Sequence, residues 1–297
     1  MIREISAKTL LTRMKSPASW FGVTYNMNIY RGCQHGCIYC DSRSQCYGIE
    51  NFEDVLVKVN SIALLKKELS GKRKVATIGT GSMSDPYTPV EKHLNFTGRA
   101  LEVIENYGFP AHIVTKSDLI LRDAELIRSI SRVFASVAFT LTTADDSLAA
   151  IIEPGAPRPS ARLDALRQLA DAGVYTGILM MPVLPYIEDT KENIEAVVRQ
   201  SHSSGASFII PWLGMSLRDR QREYYFSKLD LHFPGLRRKY EKEYSSLYSC
   251  AVKSAGELYS FFGKLCEDRG MTCDMKNVRK YNGNGGGDCF QPSLFHG

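Results

Sequence analysis

Cys33-Gln34-His35-Gly36-Cys37-Ile38-Tyr39-Cys40 puts three thiols into eight residues, at spacings of four and three. Thiolates are soft ligands, and three held this close suit three corners of a cubane iron–sulfur cluster. A self-contained electron-transfer cluster takes a fourth protein ligand. Here the fourth iron would keep an open position, as a catalytic metal site does. Gly36 permits the tight backbone of a wrapping loop, and an aromatic, Tyr39, directly precedes the last cysteine. A zinc site would run CxxC and then repeat at a distance. Cys46 is a possible fourth thiol, but the resulting spacing matches no zinc pattern.

The chain around this loop alternates between the two structural periods. Thr24 to Tyr30 is β-rich and runs into the loop, which places the thiols at the C-terminal end of a strand. A helix follows over Glu53 to Leu69, with apolar residues at helical spacing. Further strands are expected at Lys74 to Ile78, Ala111 to Thr115, Val133 to Thr142, Val174 to Met181 and Ser207 to Pro211. Helical patterns over Glu91 to Tyr107, up to Ile130, Ser160 to Ala172 and Lys191 to Ser203 separate them. Six βα units with short loops point to an α/β fold, a parallel sheet curled into a barrel.

Four regions are expected: an N-terminal arm (1–22), the barrel (23–215), a helical C-terminal region (216–281) and a Gly-rich tail (282–297). Helices are read over Ser216 to Lys228, Leu236 to Tyr248 and Lys253 to Arg269. The composition, 44% hydrophobic and 23% charged with mean hydropathy −0.20, is that of a globular chain with length enough for a core. No apolar run reaches the roughly 18 residues of a membrane span, and Met1 to Thr12 lacks a signal-peptide core, so a cytoplasmic location is expected. Eight cysteines, three of them clustered, fit a reducing compartment. A net charge of +5 permits a nucleic-acid partner without requiring one.

The strand ends carry groups that fit a polar ligand. Gly79-Thr80-Gly81-Ser82-Met83-Ser84-Asp85-Pro86 is Gly-rich, with acceptors in Ser84 and Asp85; an ordinary βα turn with a capping residue reads the same way. Lys116 ends the third strand, as a binding cation or a solvated one. Thr140 and Thr142 end the fourth, where threonine is also simply good β composition. Glu153 with Arg158 or Arg162 either lines the pocket or forms an ion pair across the loop.

The CxxxCxxC loop resembles the signature of the radical S-adenosylmethionine (SAM) superfamily. SMSDP after the second strand, TKSD at the third and EPGAP before the next helix look like its spore photoproduct lyase-like branch, over residues 20–215. The resemblance implies a partial (β/α)6 barrel and a 4Fe–4S cluster on Cys33, Cys37 and Cys40. Its open iron would chelate SAM, one electron would cleave SAM, and the 5′-deoxyadenosyl radical would abstract hydrogen from a substrate. It further implies SAM contacts at Ser84 and Lys116, adds Tyr39, Asp85, Thr140, Glu153 and Arg162 as pocket candidates, and calls for an electron donor such as flavodoxin or ferredoxin. A nucleic-acid base is the substrate it favours. A peptide or small metabolite is the alternative, as is a binding module whose cluster is structural or redox-sensing.

The lyase returns a hydrogen atom from a cysteine near its SxSD-like turn. This chain has Ser82 and Met83 there, and no cysteine from Tyr47 to Ser249. A serine O–H bond is too strong to serve, so the lyase's own reaction would need another residue, such as a tyrosine, in that role. Cys250, Cys266, Cys273 and Cys289 form a second set, without a tight pair. Gln291-Pro292-Ser293-Leu294-Phe295 resembles the peptide by which bacterial DNA-processing proteins dock on the sliding clamp. Basic and aromatic residues interleave over Arg218 to Tyr225 and Arg237 to Tyr244, diluted by acidic ones, as on a solvated helix pair.

Overall fold

The computed structural model describes residues 1–283. Its elements begin with β1 (Ile2–Ile5), β2 (Leu11–Arg13), β3 (Tyr25–Met27), β4 (Tyr30–Arg31), β5 (Val55–Lys58), α1 (Ser61–Ser70) and β6 (Ile78–Thr80). Next come α2 (Glu91–Leu94), α3 (Phe96–Asn106), β7 (Ala111–Thr115), α4 (Ala124–Ile130), β8 (Ala135–Thr140), α5 (Asp146–Ile152), α6 (Pro159–Asp171), β9 (Tyr175–Met180), α7 (Lys191–Ser203) and β10 (Phe208–Pro211). The chain ends in β11 (Gly214–Ser216), α8 (Asp219–His232), α9 (Leu236–Tyr244), β12 (Ser249–Ala251) and α10 (Ala255–Glu267).

The main sheet runs β10-β9-β8-β7-β6-β3-β2. Its six strands from β3 to β10 are mutually parallel and adjacent in chain order, and β2 closes one edge antiparallel. At least one helix fills every connection between them, which gives the expected partial (β/α)6 barrel. Side chains alternate along each strand. Ile78, Ile113, Val137, Phe139, Ile178 and Ile209 belong to the large core that the helices share. The opposite row is a second cluster that includes Val23, Ala138, Leu179, Phe208 and Ile210.

At the N-terminal end of the strands this inner row is aromatic. Phe21 stacks on His112 at 4.0 Å between ring centroids, Phe208 lies 5.3 Å from Phe21, and Tyr175 lies 5.2 Å from Phe208. His112 Nδ1 shares a 2.7 Å hydrogen bond with Ser136 Oγ, and burial pushes the imidazole down to about 3, so it stays neutral.

Several boundaries differ from the sequence reading. Val55–Lys58 is a strand, not the start of a helix: its residues alternate buried and half-buried, and it pairs with β1 and β4 in a separate three-stranded sheet. The period-two run Val-Leu-Val-Lys was absorbed into the helical pattern that follows it. The expected strand over Thr24 to Tyr30 splits at Asn28-Ile29, so β3 joins the barrel and β4 the small sheet. The second barrel strand begins at Ile78 and runs through Gly79 to Thr80. Gly214–Ser216 pairs antiparallel with β12, and the helix expected from Ser216 starts at Asp219. No helix among the described residues is long and apolar enough to cross a membrane.

Candidate active site

The cysteine loop leaves β4 and lies over the C-terminal ends of the barrel strands, anchored from several sides. Cys33 N–H donates to Phe52 O (3.1 Å), Gln34 N–H to Thr88 Oγ1 (2.9 Å) and Ile38 N–H to Ile152 O (2.9 Å). Gly155 N–H donates to His35 O (2.8 Å), and Gln221 of α8 donates its Nε2 hydrogen to Tyr39 O (3.1 Å). Gly36 sits at φ +67°, a left-handed turn that favours glycine. Backbone groups that a free loop would leave to water are satisfied by four different parts of the chain.

Cys33, Cys37 and Cys40 line one cavity of about 210 Å3, together with Tyr39, Ser82, Asp85, Lys116, Thr140 and Trp212 among others. Burial raises all three thiols; Cys33 reaches about 12, with Asp85 adding to the effect, while Lys116 pulls Cys37 and Cys40 the other way. Among the described residues no three His, Cys, Asp or Glu side chains converge closely enough to share a single ion. Three thiols around one cavity fit a 4Fe–4S cluster, in which each thiolate would bind a different iron.

Asp85 ties the loop to the barrel. Its Oδ2 lies 3.1 Å from His35 Nε2 and accepts Lys116 N–H at 2.7 Å, while Oδ1 accepts Thr115 Oγ1–H at 2.6 Å. Burial alone would raise this carboxyl, but His35 and these donors outweigh it and hold it at about 2. The turn that delivers Asp85 passes Gly81 at φ +94°, where a Cβ would lie 2.1 Å from Val114 O.

Glu153 and Arg162 are buried behind the cavity and do not line it. Arg162 Nη2 lies 2.5 Å from Glu153 Oε2, Lys116 Nζ lies 3.8 Å from Glu153 Oε1, and Tyr39 donates its hydroxyl hydrogen to Glu153. Burial opposes the Glu153 charge, yet Arg162 and Lys116 hold the carboxyl below its ordinary value. Arg162 Nη1 also donates to Thr140 O at 3.0 Å. Of the pocket candidates, Tyr39, Asp85, Lys116 and Thr140 reach the cavity. Ser84 lies outside its lining, with a buried hydroxyl that lacks a hydrogen-bond partner, and Ser82 stands in the lining, accepting from Asn26 Nδ2 at 2.8 Å.

Sequence reasoning missed His35 and Asp41 as anchors, because their partners lie far along the chain. Arg218 Nε donates to Asp41 Oδ1 at 2.8 Å and Ser216 Oγ to the same oxygen at 2.6 Å. The arginines of α8 are therefore not a free solvated face. Arg220 donates to Ile49 O and Arg222 to Leu247 O, and Tyr225, Tyr240 and Tyr244 are buried with Cys37 and Tyr39. Cys250 belongs to that cluster, whereas Cys266 sits in the main core beside Cys273. Cys289 and the Gln291–Phe295 segment lie outside the described residues.

The sequence profile of the radical SAM superfamily matches residues 27–200. An uncharacterized protein of Mycobacterium tuberculosis is 31% identical over 251 residues, 81% of this chain and 73% of its own length. A Pseudomonas phage M6 protein named radical SAM Nalpha-GlyT isomerase is 25% identical over 178 residues, 60% of this chain and 36% of its own. A mutant spore photoproduct lyase solved with AdoMet and a dinucleoside spore photoproduct shares the fold, with TM-score 0.68 over 92% of this chain and 81% of the lyase at 16% identity. The chain belongs to the radical SAM superfamily, whose enzymes work with a 4Fe–4S cluster and SAM.

Proposed function

We propose that the cavity is where SAM is reductively cleaved, that Cys33, Cys37 and Cys40 ligate the cluster, and that a nucleic-acid base is the substrate. The observation that carries this reading is the meeting of all three thiols with Lys116 and Thr140 around one cavity at the strand ends. When bound, the cluster supplies the electron that breaks a C–S bond of SAM and leaves a 5′-deoxyadenosyl radical to take hydrogen from the substrate.

The chain's own groups bind and orient. Lys116 offers a cation to a ligand carboxylate, and its amine beside Cys37 favours the thiolate over the thiol. Because the thiols are protonated when free, loading metal releases protons and is favoured by higher pH. Ser82 and Thr140 give hydroxyls to the ligand's amine and ribose, the place that the sequence reading gave to Ser84 and Thr140. Asp85 acts as a positioning residue, holding His35 of the loop and the backbone of Lys116 in fixed relation. Glu153 and Arg162 position Tyr39 and Lys116 from behind.

What supports a base as substrate is the fold shared with a lyase solved with a dinucleoside photoproduct, and the net charge of +5. The cavity lining holds no thiol besides the three loop cysteines, so a lyase-like return of hydrogen from a separate cysteine is not part of the proposal. The chemistry requires an external one-electron donor, and a cytoplasmic setting suits the free thiols.

Anaerobic reconstitution with iron and sulfide, followed by dithionite and SAM, tests this directly. 5′-Deoxyadenosine is expected by chromatography, and none from Cys33→Ala. If iron binds and SAM is never cleaved, the proposal is wrong. With labelled DNA and RNA present, deuterium is expected in the 5′-deoxyadenosine; absence of transfer from either polymer removes the base.

A further inference from the structure

Trp212 follows β10 and lines the cavity, yet its side chain remains 39% exposed. It belongs to none of the apolar clusters, so packing does not explain its presence. Its backbone is fixed: Trp212 N–H donates to Met180 O (3.0 Å) and Val183 N–H donates to Trp212 O (2.9 Å). Of the large apolar side chains left exposed among the described residues, it alone lines this cavity. An exposed indole on a fixed backbone, at the lip of the cavity, is a surface awaiting a flat partner.

We propose that Trp212 is the platform on which a base of single-stranded nucleic acid stacks at the mouth of the cavity. The inference rests on the reading of the cavity as a base-handling site. The rest of the lining fits a ring. Met83 and Met215 in the lining supply polarizable thioethers that suit aromatic faces. Stacking on an aromatic is tolerant of sequence, since every base has a π-face.

The chain has two tryptophans, which makes the test direct. Trp20 packs edge-on to Phe21 at 5.1 Å, in the aromatic cluster at the opposite end of the barrel, so Trp20→Phe leaves Trp212 as the single reporter. The reconstituted full chain with SAM is titrated anaerobically with random-sequence octanucleotides of DNA or RNA, following fluorescence, while equilibrium dialysis measures binding independently. Saturable quenching is expected, and Trp212→Ala should weaken dialysis-measured binding by about tenfold or more while sparing binding of SAM. Octanucleotide binding without quenching, and unchanged in Trp212→Ala, overturns the platform and leaves the base reading intact. If neither polymer binds by dialysis, the base reading falls and takes this inference with it. Quenching by SAM alone, with none added by octanucleotide, assigns the ring to the cofactor's adenine. Fluorescence that changes with protein concentration before any ligand is added assigns it to a second copy of the chain. Both of these results overturn the inference.

Discussion

His112 stands in β7 and Lys116 directly follows it, four residues on and, by the alternation of the strand, toward the same face. His112 lies among stacked rings, is held neutral by burial and forms its Nδ1 hydrogen bond with Ser136 Oγ. Lys116 is pushed up in spite of burial, because the negative charges of Glu153 and of Cys37 in its thiolate form outweigh the loss of water. The N-terminal half of the bore thus excludes charge, and the C-terminal half gathers it. A buried charge costs free energy unless it is paired. The difference therefore marks which end stabilises the barrel and which end is shaped for a ligand.

The sharpest way to test that division is to remove one thiol. Cys33→Ala should abolish 5′-deoxyadenosine formation while the metal-free protein melts within a few degrees of wild type. A collapse of the metal-free fold would mean that the charged end also carries stability. Next in size is Arg162→Met, which leaves Glu153 buried without its partner and should cost about 3–5 kcal/mol in denaturant unfolding. Replacing both, as Arg162→Met with Glu153→Leu, should recover most of that loss. A single variant as stable as wild type would show the ion pair to be unimportant for folding.

Glu188 offers a pH test of intermediate size. It is fully buried, and burial above all pushes it up to about 8. Between the ordinary carboxyl value of about 4.3 and 8 the unfolded chain is ionised while the folded one holds its proton, so stability falls as pH rises through that window. Glu188→Gln should therefore match wild type near pH 4 and be more stable by on the order of 2 kcal/mol at pH 6. Equal melting temperatures at both pH values would remove this account. The smallest effect belongs to the neutral end. His112 is depressed, so its contribution is present above about 6.5 and is lost as pH falls toward 3, amounting to about 1 kcal/mol by pH 5.5. His112→Phe with Ser136→Ala should lose that acid dependence, and an unchanged slope would count against a neutral His112.

Much of this was readable in the sequence because it is local. Three cysteines in eight residues, and a strand-helix rhythm at steady intervals, need no tertiary information. The reading faltered where one period ran into another, as at Val55–Lys58, and where short strands pair with distant partners, as β1 with β5. At the site, residues that end successive strands on the inner row, Lys116 and Thr140, could be found from alternation. His35, Asp41 and Ser216 could not, since their polar partners lie 50 to 175 or more residues away. The arginines of α8 misled for the same reason: a helix face looks solvated until the carbonyls and carboxylate that receive it are known.

The hold that the segment from β11 into α8 has on the cysteine loop also bears on the order of events during synthesis. Asp41 is tied to Ser216 and Arg218, Ser44 to Asp219, and Tyr39 to Gln221. The three thiols leave the ribosome among the first forty residues, but the side chains that fix their seat arrive some 175 residues later. During translation the loop is an unsecured, oxidisable stretch. A cluster on the proposed cysteine ligands is therefore expected to be delivered to the finished chain rather than to the growing one.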